Sequence, residues 1–174
     1  MRMKDVITNQ QLTIENHEQK LRAKNLIVHN IPEDEVSFGS ETLKNDRDKI
    51  IVLARTNNVD AKPEDIVTVR RLGNKRADRF RPLKVTLSDS DKKFKFLNKR
   101  KFIAANDEMK NIFHNRIFVN TDSSFLVQKE ESRLRERLKE LKREDPNTPI
   151  YIRSGALYYD GGIIDKVDVT NQLF

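Results

Sequence analysis

Catalysis and metal binding need titratable or nucleophilic side chains in close sets, and this sequence is poor in such sets. It contains no Cys and three His, at positions 17, 29 and 114, far apart and without ligand-like spacing. Disulfides and thiolate metal sites are excluded, and each His is expected at the surface or in packing rather than on a metal. The five Gly do not form a phosphate-cradling loop: neither G-x-x-x-x-G-K-[ST] nor G-x-G-x-x-G occurs. G-x-S-x-G and H-E-x-x-H are also absent. The carboxylates that a metal-dependent nuclease would need could come from Glu33, Asp34 and Glu35, or from Asp46 and Asp48. Loops of this kind are usually just solvated. No enzyme, metal or cofactor is expected.

What the residue types do support is phosphate chemistry. The 174 residues hold 34 Lys or Arg and 27 Asp or Glu, a net charge of +7. Between Arg70 and Lys101 stand thirteen Lys or Arg and three Asp, a net +10 in 32 residues; the rest of the chain nets −3. Such a local excess calls for a local reason. Arg70, Arg71, Lys75, Arg76, Arg79, Arg81 and Lys84 would gather around one sheet edge and its loop. Cations there give affinity that is largely independent of base sequence and falls steeply with salt. Lys92, Lys93, Lys95 and Lys99 can be read as solvating a helix.

The elements that position these residues follow from hydrophobic periodicity. Residues 1–23 lack Pro and Gly, and Ile7, Ile14 and Leu21 recur every seven residues, each preceded four residues earlier by Met3, Gln10 and His17 in turn. This is a narrow heptad stripe with polar layers. It reads as the end of a coiled coil or as an amphipathic helix lying on its own domain. Leu26 to Ile31 is a β-rich run stopped by Pro32. A helix with Leu43, Ile50, Ile51 and Ala54 on one face follows Ser40. Strands are expected at Ile66–Leu72, Pro82–Leu87 and Arg116–Asn120, and a basic helix at Lys92–Ala105 with Phe94, Leu97 and Phe102 or Ile103 inward. The order β-α-β-β-α-β over 24–120 is the ferredoxin-like, split-βαβ arrangement. Residues 121–174 supply a helix to about Arg143, with Leu134, Leu138 and Leu141 on one face. A hairpin at Ile150–Arg153 and Ala156–Tyr159 follows, turning at Ser154-Gly155. The fold class is α+β, with a coil end (1–23), a central domain (24–120) and a small C-terminal domain (121–174). No apolar stretch approaches the roughly 20 residues that span a bilayer. The polar first 25 residues hold no signal peptide.

The central order resembles the RNA-recognition motif, and Leu26-Ile27-Val28-His29-Asn30-Ile31 resembles that family's first-strand signature. It departs where Ile27 replaces a base-stacking aromatic, and the third strand, Pro82 to Leu87, has no aromatic at all. Stacking contributes about 1–3 kcal/mol per base, so charge is left as the binding force. Taken together, the coil end, Arg22-x-Lys24-Asn25-Leu26-Ile27-Val28, Ile31-Pro32-Glu33, Val69-Arg70-Arg71-Leu72-Gly73, Arg81-Pro82-Leu83-Lys84-Val85, the Leu/Arg-rich helix and the hairpin resemble a known family. It is the first-open-reading-frame protein of LINE-type (non-LTR) retrotransposons.

That resemblance implies a homotrimer through a parallel coiled coil at Met3, Ile7, Gln10, Ile14, His17 and Leu21. It implies a nucleic-acid chaperone that coats its own transposon RNA into a ribonucleoprotein particle, with RNA held between the two domains. Its partners would be single-stranded RNA and DNA and further copies of itself, with no membrane and no small-molecule substrate. It would reside in cytoplasmic particles and also in the nucleus. The family's basic site at the joint between coil and domain matches Arg22 and Lys24. Its Arg on the first C-terminal helix falls in the stretch Lys129 to Arg137, where Lys129, Arg133 and Arg137 share a face. The alternative function is an oligomerising protein-interaction module that binds no nucleic acid directly.

Overall fold

The computed structural model describes residues 3–33, 40–153 and 155–169. In chain order the elements are α1 (Met3–Arg22), β1 (Asn25–His29), α2 (Ser40–Thr56), a 3-10 turn (Pro63–Asp65), β2 (Ile66–Arg71) and β3 (Leu83–Leu87). They continue with α3 (Ser90–Ala105), α4 (Asp107–Phe113), β4 (Phe118–Thr121), α5 (Phe125–Glu144), β5 (Ile150–Arg153), β6 (Ala156–Tyr159) and β7 (Gly162–Lys166). The described residues are mixed α+β, with five α-helices and two antiparallel sheets. They form two compact units, Ala23–Asp122 and Met1–Arg22 with Ser123–Phe174.

The unit Ala23–Asp122 is built on a four-stranded sheet in the order β2-β3-β1-β4. Alternation along each strand sends Leu26 and Val28, Leu83, Val85 and Leu87, and Val119 to one face, where they are buried. Ile50, Leu53 and Ala54 of α2, Phe96 and Ile103 of α3, and Met109 and Phe113 of α4 complete that core. The starts of α3 and α4 have local causes: Asp89 accepts from the Lys92 N–H at 2.8 Å, and Asn106 accepts from the Glu108 N–H at 3.0 Å.

The inward set on α3 corrects the sequence reading. Phe96 and Ile103 are buried and Leu97 is partly so, whereas Phe94 and Phe102 are exposed. Phe96 and Ile103 are seven residues apart, close to two full turns, so they share a face that Phe94, two residues earlier, cannot join. The short helix α4 was not expected: its buried pair, Met109 and Phe113, is too brief to establish a period.

The other unit joins α1 to α5 and a three-stranded sheet in the order β5-β6-β7. Its core is Leu134, Leu141, Ile150 and Leu157, flanked by Leu138, Ile152, Tyr159 and Val167. Ser124 caps α5 by accepting from the Val127 N–H at 3.3 Å, and its hydroxyl donates to the buried carboxylate of Glu15 on α1. The expected hairpin is present, with Gly155 at φ 74°, and β7 extends it to three strands. Ser154 lies outside the described residues.

On α1, Leu12 and Gln19 line a cleft together with Val127 and Glu131 of α5. The heptad stripe lies elsewhere on the helix: Ile7 and Ile14 are exposed, as are Gln10 and His17, and Leu21 is 80% exposed. The side chain of Met3 lies outside the described residues.

Candidate nucleic-acid interface

The helix-free face of the four-stranded sheet carries the residues opposite in phase to the core. Strand register aligns Arg70 of β2 with Lys84 of β3, Lys84 with Ile27 of β1, and Ile27 with Asn120 of β4. Beyond Ile27, His29 pairs with Phe118. Phe118 is 44% exposed, and Arg70 and Asn120 are also exposed. Burial alone pushes the His29 imidazole below its ordinary value of 6.5, which favours the neutral ring at pH 7.

This face therefore does carry an aromatic, although β1 and β3 lack one. The sequence reading missed Phe118 because it looked for stacking residues only on the two signature strands. The signal was present in Ile117-Phe118-Val119-Asn120, where an inward Ile117 and Val119 oblige Phe118 to point outward.

The basic residues divide sharply. Arg70 and the loop residues Lys75, Arg76 and Arg79 are exposed and form no ion pair among the described residues. Arg71 is different. Alternation places it on the core side, opposite Leu83, and its side chain is only 4% exposed. Its Nε donates to Asp46 at 2.8 Å and its Nη2 donates to the same carboxylate at 2.5 Å. The remaining N–H groups donate to the backbone carbonyls of Ile31 (2.7 Å), Arg81 (2.9 Å) and Pro32 (2.9 Å). All five donors of the guanidinium are in use, so Arg71 has none left for a phosphate. Asp46, read as part of a solvated acidic group, is its buried counter-ion, 2% exposed.

Arg81 is held by Glu33, whose carboxylate accepts from Nε at 3.0 Å, Nη2 at 2.7 Å and the Arg81 backbone N–H at 2.8 Å. These contacts hold the Glu33 carboxyl below its usual range against the opposing effect of burial. Asp34 and Glu35 lie outside the described residues. Lys84 pairs with Asp122 at 2.8 Å, and Asp122 also accepts from Asn25, which accepts from Thr86. Lys92 and Lys95 pair with Asp65 and Asp60 at 3.1 and 2.5 Å. Lys93 is buried, which lowers its ammonium pKa.

The chain matches no protein-family model, and no curated protein matches it.

The remaining expected contacts are spread over the chain. Lys24 Nζ donates to the Ser88 carbonyl at 2.9 Å, and Arg22 pairs with Glu18 one turn back on α1 at 3.2 Å. On α5, Lys129 is exposed without an ion pair among the described residues. Arg137 makes a surface pair with Glu140 at 3.2 Å, a contact worth less than about 1 kcal/mol. Arg133 is committed to the C-terminal fold: it donates to both oxygens of Asp165, at 2.5 and 2.9 Å, and to the fully buried Glu130. These two carboxylates raise its pKa further, and Arg133 in turn holds Asp165 low. Among the described residues no group of three or more His, Asp or Glu could hold a metal ion. No described helix is long and apolar enough to cross a membrane.

Proposed function

We propose that the unit Ala23–Asp122 is an RNA-recognition-type domain that binds single-stranded RNA and DNA with little regard to sequence. The observation that carries this reading is a cluster of exposed cations, Arg70, Lys75, Arg76 and Arg79, with Asp78 as the one acid among them, next to a sheet face bearing His29 and Phe118. The strand order β2-β3-β1-β4 with α2 and α3 on one side agrees with a split-βαβ arrangement. The cations would track the backbone, while Phe118 on the sheet face accepts any base by stacking. A nucleic-acid chaperone needs this kind of weak, sequence-tolerant contact. The motifs shared with LINE-type first-open-reading-frame proteins suggest that the cargo is the element's own RNA, packaged into a ribonucleoprotein particle.

A salt titration of oligonucleotide binding tests the reading. Four phosphate contacts to a single strand give a slope of about −3 in log affinity against log salt. Replacing Arg70, Lys75, Arg76 and Arg79 by Gln should flatten that slope and weaken all sequences alike. A slope near zero in the native chain refutes the proposal.

One observation also favours self-association. Ile7, Ile14 and Leu21 form an exposed apolar stripe along α1, the seam that a parallel homotrimer would bury. If the chain forms a stable oligomer yet binds no oligonucleotide at about 0.15 M salt, an assembly module without direct nucleic-acid binding is the better reading.

A further inference from the structure

The three tyrosines have no part in the interface above, and two of them form a surface of their own. On the β5-β6-β7 sheet, Ile150 pairs with Tyr159 and Ile152 with Leu157, and these four belong to the core of their unit. The alternate positions therefore point outward. Tyr151 pairs with Tyr158, and Tyr158 with Ile163; Arg153 pairs with Ala156, and Ala156 with Lys166. The Tyr151 and Tyr158 rings are stacked, with centroids 5.0 Å apart and planes 7° from parallel. Tyr151 is 42% exposed and Ile163 is exposed beside Tyr158. Neither Arg153 nor Lys166 makes a side-chain ion pair among the described residues, and the outward positions include no acid.

We propose that this sheet face is a second stacking surface for single-stranded nucleic acid, with a base extending the Tyr151–Tyr158 column and Arg153 and Lys166 taking the adjoining phosphates. A cross-strand aromatic pair by itself needs no ligand, since it stabilises a hairpin. It does not account for an edge-strand ring left half open beside an exposed Ile and two unpaired cations. β5 is the edge of the sheet, so Tyr158 covers one face of the Tyr151 ring and the opposite face has no strand beyond it. Aromatic rings combined with cations and no acid are the chemistry that recognises single strands, because every base has a π-face and every link a negative charge. The assignment rests on the nucleic-acid reading proposed above and adds base contact to what charge alone would do.

The chain has no Trp and three Tyr, so its intrinsic emission reports on this surface directly. The full chain is titrated with a uridine 12-mer and with an abasic 12-mer of equal charge. The uridine strand should quench tyrosine emission and bind several-fold more tightly, while the abasic strand should not quench. Tyr151→Phe should keep the affinity within about twofold yet lose part of the quench, and Tyr151→Leu should weaken uridine binding about tenfold. Equal affinity for the two strands without quenching overturns the stacking surface while leaving phosphate binding intact. Quenching unchanged in Tyr151→Phe also overturns it. Binding of neither strand removes both this assignment and the reading on which it rests. A preference of this face for an apolar peptide over either strand would make it a protein-docking surface instead.

Discussion

Replacing Arg71 by Ala separates a structural cation from a binding one. The native side chain and its partner Asp46 are 4% and 2% exposed, and the guanidinium ties α2 to the end of β1, to Pro32 and to the start of β3 through five hydrogen bonds. Deleting it strands a buried carboxylate and three carbonyls. Breaking a buried pair by removing one partner costs about 3–5 kcal/mol, a large part of the roughly 5–15 kcal/mol that holds a domain folded. For a unit of this size each kcal/mol lowers the melting temperature by about 4–8 °C, so a drop of at least about 12 °C is expected. Arg71→Lys should rescue little, because an ammonium cannot reproduce a planar fork with five donors. Asp46→Ala with Arg71→Ala should cost less than the two single changes added, since neither charge is then left alone. Urea or thermal unfolding followed by circular dichroism measures all four proteins, with Arg70→Ala, exposed and unpaired, as the contrast that stays within about 0.5 kcal/mol of native. If Arg71→Ala keeps native stability and instead weakens oligonucleotide binding, the reasoning fails and Arg71 is a phosphate ligand.

Three further outcomes are expected. Phe118→Ala should weaken binding to a base-bearing oligonucleotide by roughly 5–100-fold, with stability nearly unchanged because the ring is already half exposed; an unaltered affinity would remove Phe118 from the interface. Replacing Ile7, Ile14 and Leu21 by Ser should reduce the mass seen in light scattering to that of one chain, and a native monomer would end the coiled-coil proposal. The lowered pKa of His29 means that the folded state takes up its proton at lower pH than the unfolded chain. Its contribution is therefore full above the ordinary value of 6.5 and lost as pH falls from there through the folded pKa. His29→Gln should match the native chain at pH 8 and exceed its stability near pH 5, and identical pH profiles would contradict the assignment.

The main elements were legible in the sequence because their causes are local. Pro32 ends the first strand region, Ser124 and Asp89 start helices, and the alternation in Leu83–Leu87 gives both faces of β3. The inward face of α3, the helix α4 and the strand β7 were less legible. Each depends on which side of a short segment meets a neighbour, and a short segment carries too little period to say. The candidate site was half legible. Its cations were visible as a cluster, but Phe118 was hidden by attention to signature strands, and the stacked Tyr151–Tyr158 pair depends on hairpin register.

By itself the sequence determined that this chain has no thiol chemistry, and that its positive charge is concentrated between Arg70 and Lys101 against a slightly acidic remainder. Only the tertiary structure decided how much of that block is free. Glu33, Asp46, Asp60, Asp65 and Asp122 all lie outside it in sequence, yet they fold onto Arg81, Arg71, Lys95, Lys92 and Lys84. Composition counts charges along a chain, whereas Coulomb attraction acts over a few ångströms of space. The long-range pairing of strands and helices therefore neutralised five of the block's cations and left exposed, without an ion pair among the described residues, Arg70 and the loop at Lys75, Arg76 and Arg79 by the sheet, and Lys99, Arg100 and Lys101 on α3.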